Sequence, residues 1–173
     1  MQYIIQKAEA ADFPEIFELQ HLAYLSEAQI YNDYTIQPLT QSVEEAAVDF
    51  QSGLVLKAVS NVDGRIIGSV RAHQVEGSMD SIQIGKLMVH PDFQNQGLGR
   101  HLLQAIEAEF AESTRQFELF TGAHSEKNIT LYEKSGYSKY TPEPAAHTEP
   151  ATNEYGFVYM RKPNPNFKTR EQG

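Results

Sequence analysis

The segment from Leu87 to Leu103 constrains this chain more than any other. Leu87, Met88 and Val89 close an apolar, strand-type run, and His90-Pro91-Asp92 ends it. Gln94-Asn95-Gln96-Gly97-Leu98-Gly99-Arg100 then opens directly into a helix predicted over 97–112, whose Leu98, Leu102, Ile106 and Phe110 recur every four residues as a buried stripe. A strand that passes through glycines into a helix gathers free backbone N–H donors and the positive end of the helix dipole at one place. Phosphate binds at such a place, and glycine lets it approach the backbone closely. Arg100 adds a positive charge. A tight turn that needs glycine for geometry alone is the other reading, and both stand at this point. The segment lacks the lysine and Ser/Thr of a P-loop and the third glycine of a dinucleotide fingerprint, so a nucleotide-binding loop is disfavoured.

Patterning around this segment predicts the order β-α-α-β-β-β-α-β-α-β-β. A strand is expected over 3–8, then a helix capped by Asp12 that frays near Leu25. Residues 31–40, with Asn32, Asp33 and Pro38, read as a loop. Ser42-Val43-Glu44-Glu45 is a capping box that starts a second helix, running to about Gln51. Strands over 54–60 and 66–75 flank Val62-Asp63-Gly64-Arg65, where Asp-Gly supplies the positive φ angles of a hairpin turn. Further strands are expected over 81–89, 117–121, 137–141 and 155–160, with a helix over 127–135 closed by Gly136. Three consecutive strands followed by a strand–helix–strand unit point to an α+β (mixed α/β) sheet, not a fully parallel one. Residues 1–162 read as one domain and 163–173 as a loose tail.

Composition excludes several classes of function. A chain of 173 residues buries roughly 70% of its unfolded surface, enough for a real core. No apolar run approaches the ~20 residues of a membrane span, and the N-terminus lacks a signal-peptide pattern, so no membrane partner and a cytoplasmic address are expected. The absence of cysteine rules out disulfides, thiolate nucleophiles and Cys-based zinc sites, and no metal is expected. A net charge of −9 argues against nucleic acid as a partner. The acid is concentrated: residues 1–63 hold ten acidic side chains against two basic ones. Solvated helix faces explain that, and so does an acidic mouth for a cationic partner.

Gln94-Asn95-Gln96-Gly97-Leu98-Gly99 resembles the Gln/Arg-x-x-Gly-x-Gly/Ala motif of the GNAT superfamily of acetyltransferases. About thirty residues on, Asn128-Ile129-Thr130-Leu131-Tyr132-Glu133-Lys134-Ser135-Gly136-Tyr137 is similar to that family's second signature. The resemblance covers roughly residues 3–161. It implies a central, mixed, largely antiparallel sheet flanked by helices, with a parallel strand pair, 81–89 and 117–121, splaying apart to admit acetyl-CoA. By the same resemblance Leu87, Met88 and Val89 offer backbone groups to the pantetheine arm, one N–H polarising the acetyl carbonyl. The pyrophosphate falls to Gln94, Asn95, Gln96, Gly97, Leu98, Gly99 and Arg100, and Asn128 meets the pantetheine. Tyr132 aligns with the family's general acid, which protonates the departing thiolate. Some members carry a glutamate where this chain has Gln83, which cannot accept a proton. Glu27, His73, Glu76 and His90 are then the candidate bases.

The same resemblance places the acceptor between residues 22–39 and 141–155. Tyr24, Glu27 and Tyr31, with Asp33 and Tyr34 nearby, combine carboxylates with rings and suit a cationic amine. Glu143, His147, Glu149 and Glu154 add to that rim. The resemblance therefore implies an N-acetyltransferase acting on a small-molecule amine by direct transfer in a ternary complex. A protein or peptide amine is one alternative. A non-catalytic CoA-binding sensor is another, supported by Gln83 and opposed by Asn128 and Tyr132. The alternating Tyr155, Phe157 and Tyr159 predict an exposed strand that pairs across a homodimer interface.

Overall fold

The structure, a computed structural model, describes residues 2–142 and 156–167. Its framework is one seven-stranded sheet in the order β1-β2-β3-β4-β5-β7-β6. The strands are β1 Tyr3–Lys7, β2 Leu54–Ser60, β3 Ile66–Gln74, β4 Ser81–Val89, β5 Gln116–Gly122, β6 Ser138–Tyr140 and β7 Phe157–Pro163. Every neighbouring pair is antiparallel except β4 and β5. The mixed sheet expected from the element order is therefore present, with its one parallel contact where the cofactor motifs lie. Among the described residues no helix is long and apolar enough to cross a membrane.

Helices cover both faces. Helix α4, Leu98–Glu109, lays Leu98, Leu102, Leu103 and Ile106 fully buried against Ile67, Val70, Ala72 and Ile82 of the sheet. A fully buried leucine of this kind contributes about 1.5–3 kcal/mol. Helix α5, Glu126–Lys134, adds Leu131 and Tyr132 to the same core. On the other face α1, Phe13–Tyr31, packs Ile16 and Leu19 on Val55, Ile66 and Met88. Helix α3, Val43–Gln51, starts at the predicted capping box: Glu45 N–H donates to Ser42 Oγ (3.2 Å) and Ser42 N–H to Glu45 Oε2 (2.9 Å).

Four local expectations need correction. Helix α1 does not fray at Leu25 but runs to Tyr31. Asn32 ends it in the left-handed conformation (φ 48°), and Asp33 N–H reaches back to Ala28 O at 3.0 Å, as in a Schellman closure. A short helix, α2, Gln37–Thr40, occupies part of the predicted loop, because Pro38 sits in its first turn, where no N–H is needed. Strand β7 lies between β5 and β6, so the edge expected to be exposed is covered by β6 from Tyr159 to Arg161. It also continues to Pro163. Asn164 beyond it is buried and donates to Ala111 O and Thr114 O (2.8 and 2.7 Å), which fixes the chain past the expected start of the tail. Glu143, His147, Glu149, Glu154 and Tyr155, and residues 168–173, lie outside the described residues.

Two irregularities in β4 position the site. The parallel ladder with β5 holds only at Ser81↔Gln116, Ile82↔Phe117 and Gln83↔Glu118. Beyond it β4 keeps only β3, and β5 keeps only β7. The β3–β4 register also shifts between Ser69 and Arg71, opposite Lys86, a non-glycine residue in the left-handed region (φ 48°). A bulge of this kind bends and twists the strand that carries it. Here it carries Leu87–Val89 away from β5 and opens a wedge.

Candidate active site

The wedge leads into a cleft of about 1380 Å³. Of the residues expected at the site, Leu87, Met88, Val89, Gln94, Asn95, Gly97, Leu98, Gly99, Arg100, Asn128, Tyr132, Tyr24, Glu27 and Tyr31 line it, and Gln96 does not. One wall is the strand exit and the start of α4. Asn95 (φ 59°) and Gly97 (φ 85°) both take the left-handed conformation and turn the backbone there. The first helical bond runs from His101 N–H to Gly97 O (3.1 Å). Among the described residues no acceptor meets the backbone N–H groups of Asn95 through Arg100. The space where a Gly97 side chain would stand is open. Free donors, helix dipole and open space together form an anion cradle. Gln94 is different: its side chain donates to Val89 O (3.1 Å) and its N–H to Pro91 O (3.4 Å), so it closes the strand exit.

The opposite wall is a contact between α1 and the β5–α5 junction. Tyr24, Glu27 and Tyr31 follow at helical spacing and share one face of α1, because the helix extends past Leu25. Glu27 accepts from Asn128 Nδ2 at 3.2 Å and from Ser125 Oγ. Asn128 also donates to Thr121 Oγ1 (3.2 Å). The Tyr31 hydroxyl lies 3.0 Å from Ser125 Oγ and accepts from His124 N–H (2.8 Å). Tyr132 lies one turn beyond Asn128 on α5 and is buried, with no hydrogen-bond partner for its hydroxyl among the described residues. Burial, reinforced by Tyr24 and by the Glu27 carboxylate, raises its pKa and keeps the hydroxyl protonated.

The floor is polar, and sequence reasoning missed most of it. Arg71 and His73 of β3 lie opposite Gly85 and Gln83 of β4. Arg71 pairs with Asp49 of α3 (3.3 Å), which also accepts from Gln41 (2.6 Å). Burial pushes the Asp49 pKa up. The Gln41 hydrogen bond and the charges of Arg71 and Lys86 outweigh that and hold it below the usual range. Lys86 Nζ donates to Gln37 and Gln41 (3.2 Å each) and stands 5.9 Å from the Tyr24 ring centroid. The alternation of Arg71 and His73 along an otherwise apolar strand was the available signal. Of the candidate bases, Glu27 and His73 line the cleft, while Glu76 and His90 do not. His90 instead caps the turn after β4, accepting from Asp92 N–H at 3.3 Å.

A parallel strand pair that splays beside a helix-terminal anion cradle defines an acyl-CoA transferase type of site. The acetyltransferase (GNAT) family model matches residues 2–137, and the chain belongs to that family, whose members use acetyl-CoA as cosubstrate. It is similar to the UPF0157 protein YqkA of Bacillus subtilis, 30% identical over 135 residues. That match takes in 78% of this chain but only 37% of the length of YqkA. Among solved structures, the ribosomal-protein-S18-alanine N-acetyltransferase of Escherichia coli superposes with a TM-score of 0.74 at 21% identity, covering 99% of each chain. A GNAT-family acetyltransferase of Staphylococcus aureus Mu50 gives 0.73 at 16% identity, covering 94% of this chain and 99% of the other. These two establish the shared fold.

Proposed function

We propose that this chain is an N-acetyltransferase that moves an acetyl group from acetyl-CoA to the primary amine of a small molecule, with both substrates bound together. The observation that carries the reading is the run of unpartnered N–H groups from Asn95 to Arg100 beside the wedge. The cradle holds the pyrophosphate, and the open edge of Leu87–Val89 holds the pantetheine arm as a stand-in for the missing β5 ladder. Acetyl-CoA supplies an activated thioester. Glu27, with the Tyr24 and Tyr31 rings, orients an entering ammonium and takes one proton from it, which passes to solvent. The Tyr132 hydroxyl donates to the sulfur as the C–S bond breaks. Its raised pKa makes it a hydrogen-bond donor that holds its proton until charge develops on sulfur. The amine nitrogen gives up its second proton, which balances the one gained by the thiol.

Gly97→Glu tests the cradle. It forces a side chain onto a φ of 85° and sets a carboxylate where phosphate belongs. Calorimetry is expected to show acetyl-CoA binding to the wild type and none to the variant; equal affinity would overturn the assignment. Gln83 favours one second reading, a CoA-binding sensor without turnover, which acetylation of any amine excludes.

A further inference from the structure

The amide of Asn128 is held from two sides. Its Nδ2 donates to Glu27 Oε1 on α1 and to Thr121 Oγ1 on β5, at 3.2 Å each. Those bonds use both hydrogens of the nitrogen. An ionised carboxylate only accepts, so the nitrogen and not the oxygen of the amide must face Glu27. Glu27 is itself fixed, because its other oxygen accepts from the buried Ser125 Oγ. The amide therefore has one orientation, with Oδ1 turned away from both partners. That oxygen has no hydrogen-bond partner among the described residues, yet it is not sealed from solvent. It is an open acceptor on the cleft wall.

The splay of the sheet decides what this acceptor meets. The β4–β5 ladder ends at Gln83↔Glu118, and Thr121 stands further along β5, on the stretch that keeps only β7. Leu87–Val89 is the facing edge of the wedge. A chain lying in the wedge has the β4 backbone on one side and the Thr121–Asn128 pair on the other. An open carbonyl oxygen on that wall selects a donor, and the pantetheine arm carries amide N–H groups.

Resting on the acetyl-CoA reading, we infer that Thr121 is a positioning residue for the cofactor: with Glu27 it holds the Asn128 amide so that Oδ1 accepts from an amide N–H of the pantetheine arm. Thr121 acts through Asn128 and takes no part in the bond changes. Without the Thr121 oxygen one Asn128 hydrogen loses its acceptor, and the Glu27 bond alone leaves the amide free to pivot. The cost falls on the arm and not on the cradle at Asn95–Arg100.

The test is Thr121→Val, which removes the hydroxyl at nearly unchanged shape. Calorimetry should show acetyl-CoA bound about three- to tenfold more weakly than by the wild type, the range of one lost hydrogen bond. Thr121→Ser keeps the hydroxyl and should stay within about twofold. The nucleotide half of CoA, 3′-phospho-ADP, lacks the pantetheine arm, and its affinity, read from competition with acetyl-CoA, should not change. In an Asn128→Ala background Thr121→Val should have no further effect, a coupling that a purely structural role would not produce. Thermal unfolding confirms that each variant is folded, and Thr121→Ala carries the test if Thr121→Val does not fold. Unchanged acetyl-CoA affinity, equal weakening of 3′-phospho-ADP, or the same loss in the Asn128→Ala background overturns the inference alone. A wild-type protein that binds no acetyl-CoA overturns the acetyl-CoA reading and this inference with it.

Discussion

The Tyr31 hydroxyl is seated against Gly122: a Cβ added to that glycine would lie 2.1 Å from Tyr31 Oη. The Tyr31 ring can rest at this end of β5 because position 122 has no side chain. The contact locks the acceptor wall to the cofactor wall. Gly122→Ala is expected to cost about 1–3 kcal/mol in chemical denaturation, as overpacking does. In a Tyr31→Ala background the same change should cost far less, and a double-mutant cycle measures that coupling.

Tyr132→Phe keeps the buried ring and removes only the hydroxyl. Turnover should drop about 100-fold or more, with acetyl-CoA affinity nearly kept. Unchanged kcat would remove Tyr132 from the mechanism. Because its pKa is raised, loss of its proton should produce no fall in rate through neutral and mildly alkaline pH.

Glu27→Gln preserves an oxygen that can accept from Asn128 while abolishing the charge. The expected loss of kcat/KM is greatest near neutral pH. It should shrink as pH rises and the free amine becomes abundant without help. A loss that is constant across pH would instead mark Glu27 as a structural anchor of α1.

The ion pair between Lys57 and Asp12 is largely buried, with Nζ–O distances of 2.6 and 2.7 Å. Burial raises the Asp12 pKa, but the hydrogen bond from Glu9 N–H and the Lys57 ammonium together hold it below 3.8. A carboxylate with a depressed folded pKa contributes stability above its unfolded value and loses it as pH falls through the folded one. Asp12→Asn should therefore cost about 1.5–3 kcal/mol at neutral pH. The gap to wild type should begin to narrow as pH falls through 3.8 in urea titrations and close only below the lower pKa of the folded state, where the Asp12 carboxyl is protonated.

What could be read from the sequence followed from local physics. The β4–α4 segment was legible because its glycines, apolar run and helical stripe agree with one another. The capping box at Ser42 and the hairpin at Asp63-Gly64 are short-range devices, and the β2–β3 turn and α3 form where they stand. The second half of α1 was not legible, since beyond Leu25 only Ala28 is buried and the helix faces a cleft instead of core. Asn32 reads locally as a loop residue although it serves as the left-handed cap. The bulge at Lys86 left no mark, because the residue that adopts it is not a glycine. The position of β7 between β5 and β6 depends on long-range pairing that no local pattern encodes.

The most direct test of the central claim is CoA release from acetyl-CoA against polyamines, amino-sugars, amino acids and lysine peptides, with thermal stabilisation by acetyl-CoA measured alongside. We predict that acetyl-CoA raises the melting temperature and that small amines bearing an ammonium group are turned over. Stabilisation without turnover of any amine would contradict the catalytic account, and no stabilisation would contradict the cradle at Asn95–Arg100 on which it rests.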